Sequence, residues 1–249
     1  MPLDLEGKRV VLTGGDGALG QAVVQAFRAA GATCHLPIFG SVVTPPAPGV
    51  LLSGNINLTE EAAVSAFFAG LPPLWASVHL AGGYQAKPIT ETTRADLDRQ
   101  WELNLVTAFL CCREAVRAMR ASGGGRIVNV AARVVELPVG GSISYSVSKA
   151  GVAALTRSLA VETRSDGILV NAVLPSIIDT PANRAAMPKA DSGKWPKPDE
   201  LAAAILWLAS PVNRLTSGAL LPVYGLGQGR DSRQGAARDD GFGVVRAQW

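Results

Sequence analysis

A run of β-branched and apolar residues at 8–13, Lys-Arg-Val-Val-Leu-Thr, empties into the turn Thr13-Gly14-Gly15-Asp16-Gly17-Ala18-Leu19-Gly20, and a helical pattern follows over 18–30. Strand, glycine turn and helix in immediate succession leave few folds open. The run reads as a strand buried on both faces, as in a parallel sheet. Glycines let the backbone approach a bound group, and the helix opening there offers unpaired N–H groups and the positive end of its dipole. Such a turn suits a phosphate; without a ligand it would be only a tight strand-to-helix connection.

The rest of the chain keeps this rhythm. Strand signals recur at 33–39, 50–53, 75–80, 126–130, 167–173 and 219–223, with helical patterns at 60–69, 94–120, 144–164 and 199–210. Strands separated by helices imply right-handed crossovers. The fold class predicted is α/β: a single Rossmann-type, doubly wound parallel sheet of about seven strands with helices on both faces, spanning residues 1–225. Thr44-Pro45-Pro46-Ala47-Pro48-Gly49 replaces the helix between the second and third strands, because prolines remove donors and disfavour helical neighbours. The tail 226–249 is rich in Gly, Arg and Asp; it is expected to be mobile or to dock on a neighbouring subunit through Phe242, Val244, Val245 and Trp249.

Composition narrows the function classes. A length of 249 residues suits one large domain. The net charge of +3 would allow a nucleic-acid partner, but Lys and Arg are scattered and form no stripe interleaved with aromatics, so none is expected. No apolar run approaches the length of a membrane span and the start lacks a signal-peptide pattern, which predicts a cytoplasmic protein without a membrane partner. Cys34, Cys111 and Cys112 show no C-x-x-C spacing; Cys111 and Cys112, in an apolar helical stretch, read as buried thiols, and no metal site is expected.

The chemistry concentrates in Ser144-Tyr145-Ser146-Val147-Ser148-Lys149-Ala150-Gly151. Residues i and i+4 share a helix face, so phenol and ammonium point the same way. A neighbouring cation favours phenolate and draws a Tyr pKa down from about 10. Tyr145 is thus a candidate proton donor and acceptor at a carbonyl or alcohol. Alone, the pair could equally decorate an exposed helix; the glycine turn upstream gives it weight.

Taken in order, Thr-Gly-x-x-x-Ala-x-Gly at 13–20, His79-Leu80-Ala81-Gly82, Asn104, Tyr145-x-x-x-Lys149, Pro175, Thr180 and the closing Gly218-Ala219-Leu220-Leu221-Pro222-Val223-Tyr224-Gly225 resemble the short-chain dehydrogenase/reductase family. The resemblance covers roughly residues 5–225. It implies an oxidoreductase that uses NAD or NADP on a small-molecule substrate and assembles as a homodimer or homotetramer. It also implies that Tyr145 is the acid/base, that Lys149 holds the nicotinamide ribose and lowers the Tyr145 pKa, and that Asn104 kinks its helix and seats a proton-relaying water. The implied dinucleotide contacts are Gly14, Gly15, Asp16, Ala18, Leu19, Gly20, Asn55, Ile56, His79, Ala81, Gly82, Tyr145, Lys149, Pro175, Ile178 and Thr180.

Departures from the family pattern are informative. Its catalytic serine lies thirteen residues before the tyrosine, where this chain has Ala132. Loss of one donor to a developing oxyanion costs about 3–4 kcal/mol, or roughly 10²–10³ in rate. A substrate building less charge on oxygen would tolerate that, and dihydropteridine reductases are similar in lacking the serine and in their Gly-Ala-Leu-Gly turn. Arg133 is an alternative group to polarise the substrate. His79-Leu80 replaces Asn-Asn, and His79 is either a cofactor contact or a satisfied structural histidine. Leu36-Pro37-Ile38 offers the adenosine ribose neither acid nor base; Asp16 would repel a 2′-phosphate, which leans towards NAD. Asn55 stands for the adenine-contacting Asp. Substrate contacts are expected from Tyr84, Gln85, 134–139 and the lid-like segment 176–195, where Arg184 is a candidate grip on an acid group. The leading expectation is an NAD(P)-dependent oxidoreductase acting on a small carbonyl, alcohol or imine-like compound. The alternatives are a catalytically weakened dinucleotide-binding sensor and an assembly protein using the helical faces at 94–120 and 144–164.

Overall fold

A computed structural model describes residues 3–42 and 46–226. Among them, strands β1 (Arg9–Thr13), β2 (Thr33–Pro37), β3 (Val50–Ser53), β4 (Ala76–His79), β5 (Gly125–Val130), β6 (Ile168–Pro175) and β7 (Leu220–Val223) form one sheet in the order β3-β2-β1-β4-β5-β6-β7. Every pairing is parallel. The chain leaves β1 towards one edge and β4 towards the other, so the carboxyl ends of these two neighbours open a crevice.

Helices α1 (Ala18–Ala29) and α7 (Pro198–Ala209) cover one face of the sheet, while α2 (Glu61–Ala69), α4 (Thr107–Ala121) and α5 (Ile143–Glu162) cover the other. Strand alternation decides which side chain goes where. Val10 and Leu12 of β1 meet Val23, Phe27 and Ile205, whereas Val11 between them meets Phe67, Phe68 and Met119. Burying each such side chain stabilises by about 1.5–3 kcal/mol. Cys111 and Cys112 are free and buried in the second layer as expected, and Cys34 is free and buried in the first.

Three expectations change in detail. The second strand ends at Pro37 rather than 39, because β3 offers partners only as far as Ser53; Phe39 beyond it is 57% exposed. The helix read over 94–120 is α3 (Arg94–Trp101), a single π turn (Glu102–Val106) and α4, and the wide turn carries Asn104. The segment 176–195 contains a short helix, α6 (Pro181–Ala186), capped by the Thr180 hydroxyl. The expected tail lies, from residue 227 onward, outside the described residues. No helix among the described residues is long and apolar enough to cross a membrane.

Candidate active site

The turn between β1 and α1 is drawn as tight as its glycines allow. Gly14 has φ +64°, and a Cβ there would come within 2.9 Å of the Ala81 amide nitrogen. A Cβ on Gly15 would press into the Leu36 side chain at 2.6 Å, and one on Gly20 would collide with the Gly14 carbonyl. Gly17 caps α1 without any side-chain hydrogen bond, so the first-turn amides of Ala18, Leu19 and Gly20 are uncapped by side chains. A cradle that excludes side chains and ends at an uncapped helix N-terminus fits a pyrophosphate. The Thr13 hydroxyl accepts from the Ala81 amide at 3.2 Å and joins the turn to the end of β4.

Beside this turn lies a cleft of about 260 Å³, lined by Gly14, Asp16, Pro37, Phe39, Ile56, Asn57, Leu58, Thr59, Ala81, Leu103 and Thr107. Of the residues expected to contact a dinucleotide, Gly14, Asp16, Ile56 and Ala81 line this cleft. Asn55, with φ +57°, is exposed and is not among the lining residues, whereas Asn57 is. The lining also includes Phe39, Leu103 and Thr107, which the sequence reading did not name; Leu103 precedes Asn104 on the π turn and Thr107 opens α4 just after it, and that proximity was the available signal.

At the carboxyl end of β4 three candidate residues converge. A Cβ on Gly82 would meet Asn104 Oδ1 at 2.6 Å and Lys149 Nζ at 3.4 Å. Buried Asn104 clamps Gly83 from both sides, accepting from its amide at 3.0 Å and donating to its carbonyl at 2.9 Å. It also donates to the Gln100 carbonyl and to Ser148 on α5, so the wide turn is locked to β4 and α5 together. That is the distortion expected of Asn104. Lys149 Nζ lies 5.9 Å from the Tyr145 ring centroid and donates to the Val130 carbonyl at 2.8 Å.

The electrostatics differ from the sequence expectation. Burial, with Tyr84 adding to it, pushes the Tyr145 phenol above its ordinary value instead of Lys149 drawing it down. Lys149 is bonded to a carbonyl rather than to the phenol, and burial lowers its own pKa to about 8. The Tyr84 ring meets Tyr145 edge-on, with centroids 4.9 Å apart.

The His79 side chain is engaged within the protein. It is buried at the end of β4, with Nδ1 2.8 Å from Asn129 Oδ1 and Nε2 2.8 Å from Ser77 Oγ. Asn129 continues to Thr156 on α5, and Cys112 of α4 lies 3.5 Å from Nδ1. An amide oxygen accepts only, so Nδ1 carries the proton and Nε2 accepts from Ser77. Desolvation holds the ring neutral, its pKa lowered to about 4.

Ala132 is buried and extended just beyond β5, where a serine would present its hydroxyl. Ser142 is tied to the Val139 carbonyl and Ser146, which engages its hydroxyl inside the loop. Arg133 opens the following turn and lies over the Tyr224 ring at 5.9 Å. Pro175 ends β6, the Ile178 carbonyl accepts from Asn183, and Thr180 caps α6; none of the three lines the cleft. Arg184 is already committed, with Nε and Nη2 on the Asp179 carboxylate at 2.5 and 2.7 Å. Gln85 likewise donates to Asp96 at 2.7 Å.

Comparison with known proteins agrees with this geometry. A family model described as Enoyl-(Acyl carrier protein) reductase matches residues 15–225. The chain is 38% identical over 184 residues to cis-4-hydroxycyclohexanecarboxylate dehydrogenase of Sinomonas cyclohexanicum, covering 68% of this chain and 73% of that one. It is 34% identical to galactitol 2-dehydrogenase of Rhizobium johnstonii, over 88% of this chain and 94% of the relative. The solved structure of ElxO with NADP bound shares the fold at a TM-score of 0.81 and 24% identity, over 88% of this chain and 97% of that one. With the glycine cradle, the Asn104–Tyr145–Lys149 cluster and the sheet order in agreement, this chain belongs to the short-chain dehydrogenase/reductase family of NAD(P)-dependent oxidoreductases.

Proposed function

We propose that the protein interconverts a small alcohol and its carbonyl, with Tyr145 moving the proton at the substrate oxygen. The observation that carries this reading is the packing of Asn104 and Lys149 around Gly82, beside the cradle at Gly14–Gly20. A bound nicotinamide dinucleotide would supply or accept the hydride at the substrate carbon. The chain's own residues do the rest. Lys149, fixed by the Val130 carbonyl, brings a cation beside the Tyr145 ring, and Asn104 holds Gly83 and Ser148 so that α5 keeps its position against β4. Oxygen charge that an additional hydroxyl would meet is left to Tyr145, because Ala132 has none.

The dinucleotide contacts proposed are Gly14, Gly15, Asp16, Ala18, Leu19, Gly20, Ile56, Ala81, Gly82, Tyr145 and Lys149, with Pro175, Ile178 and Thr180 closing over the far end. NAD is favoured over NADP, since the described lining of the cleft offers Asp16 and neither Lys nor Arg to a 2′-phosphate. Relatives that act on a hydroxy acid and a polyol support a small oxygenated substrate. A homo-oligomer in the cytoplasm completes the reading; exposed Phe109 (48%) on α4 and Val161 (72%) on α5 are apolar surface that a second copy would cover. Light scattering of the purified chain tests that point.

The activity test is a fluorescence titration with NADH and NADPH, followed by a screen of small carbonyls with wild type and Tyr145→Phe. Turnover that disappears in the variant while NADH binding persists supports the proposal. Binding without any Tyr145-dependent turnover returns the chain to the sensor reading.

A further inference from the structure

Beyond the catalytic cluster, the turn after β5 carries a cation that no described carboxylate pairs with. Arg133 begins the turn after β5, and the Glu136 and Leu137 amides bond back to its carbonyl at 3.0 and 2.9 Å, fixing the backbone. Its side chain reaches Tyr224, which follows β7, with Cζ 5.9 Å from the ring centroid. In the sheet order β5-β6-β7, that pair spans the carboxyl end of β6. The Nε of Arg133 is buried and has no hydrogen-bond partner among the described residues. Nor is any described carboxylate ion-paired with it. The acid in the same turn, Glu136, accepts the Tyr224 hydroxyl at 3.1 Å instead.

A guanidinium is planar, always charged, and suited to two parallel bonds with a carboxylate. Leaving its Nε sealed from water and without an acceptor is costly unless a ligand completes it. Three residues upstream, the Val130 carbonyl holds Lys149, so Arg133 belongs to the same end of β5 as the catalytic amine. Three residues of extended chain span at most about 10 Å, a distance a small molecule bridges.

We propose that Arg133, backed by the Tyr224 ring, binds a carboxylate of the substrate and makes the enzyme selective for hydroxy and oxo acids. The proposal rests on the oxidoreductase reading above and names its substrate class. Anchoring the acid there leaves the reacting carbon free to lie near Tyr145. Part of the orientation lost with the missing hydroxyl at Ala132 is restored by this anchor. Arg133 is a specificity residue in this scheme, and Tyr224 positions it.

The test compares oxo acids with their methyl esters on the full chain, in wild type, Arg133→Met and Arg133→Lys. Wild type should favour the acid by about thirty-fold in kcat/KM, the size expected for charge-assisted bonds. Arg133→Met should erase that preference by raising KM for the acid and leaving the ester unchanged; Arg133→Lys should keep part of it. Acid and ester falling together in Arg133→Met, or no preference in wild type, overturns the proposal. A calorimetric titration with benzoate and benzamide in the presence of NADH needs no turnover. Benzoate should bind more tightly, and the advantage should vanish in Arg133→Met. Equal binding of the two probes in wild type overturns the carboxylate site. Loss of turnover on every carbonyl, with the benzoate advantage intact, refutes the oxidoreductase reading alone.

Discussion

His79 and Lys149 are both buried against the carboxyl end of the central strands, and both have lost water, yet they answer that loss differently. His79 surrenders its charge: with a pKa lowered to about 4 it is neutral at pH 7, and Ser77 and Asn129 satisfy both ring nitrogens. Lys149, lowered only to about 8, remains mostly charged at pH 7 and donates to the Val130 carbonyl. A buried group kept charged is a stability cost, and such costs gather where chemistry needs the charge. The His79 cluster ties β4, β5, α4 and α5 together, whereas the Lys149 cluster lies at the proposed reaction site.

The largest effect should come from breaking the functional side. Tyr145→Phe is expected to lower kcat by about 10²–10⁴ with little change in NADH affinity or in unfolding midpoint. Lys149→Met should lower turnover as strongly, yet raise the unfolding free energy at pH 7 by up to about 3 kcal/mol, because a charge need no longer be buried. The sign follows from linkage. Between pH 8 and the unfolded value near 10.5 Lys149 binds more proton in the unfolded chain than in the folded one, so this residue adds to wild-type stability as pH rises through that window. Denaturant melts at pH 7, 8 and 9.5 should show the stability of wild type relative to Lys149→Met rising with pH; the buried thiols of Cys34, Cys111 and Cys112, whose raised pKa values act in the opposite sense near pH 9, are in both proteins and cancel. If the variant is less stable at every pH, the comparison fails.

Next in size is Ala132→Ser, which sharpens the same contrast by adding a donor. For an ordinary ketone kcat should rise by about tenfold or more, up to the 10²–10³ attributed to one oxyanion donor. An unchanged or lower kcat would mean that the substrate builds little charge on its oxygen.

On the structural side, His79→Leu leaves Asn129 and Ser77 short of partners and should cost about 1–3 kcal/mol at pH 7. Its pH signature is the sharper check. Wild type should lose stability as pH falls from 6.5 to 4, since the unfolded imidazole takes a proton that the buried one refuses. The variant should lose less over that window, by up to about 3 kcal/mol. His35 also has a lowered pKa, but it is present in both proteins and cancels in the difference.

How far the sequence could be read follows the same division. Backbone requirements were legible. The apolar strand runs, the Gly14–Gly20 turn and the i, i+4 spacing of Tyr145 and Lys149 each act through local geometry, and each lies where the pattern puts it. Side-chain partners were not. Nothing in the order of residues says that His79 will face Asn129, fifty positions away, or that Lys149 will choose the Val130 carbonyl over the phenol. Asn55 stands with a positive φ and exposed, while Asn57 is the amide that lines the cleft, a difference the sequence pattern does not announce. Asn104 is the intermediate case. The family resemblance announced a kink, but only the fold shows a π turn stapled to Gly83 and Ser148.

The smallest expected effect separates two arginines that composition cannot. Arg184 lies in the segment expected to grip an acid group, but its fork already holds Asp179, whose carboxyl it keeps below the ordinary range. The Arg184 side chain is 60% exposed, so the pair contributes at most about 1 kcal/mol. Arg184→Met should therefore move the unfolding midpoint slightly and alter the acid-to-ester ratio of kcat/KM by less than about twofold, while Arg133→Met collapses it. A large change in that ratio on losing Arg184 would mean that the ion pair opens in use and that the anion is read from the α6 side of the crevice rather than from the end of β5.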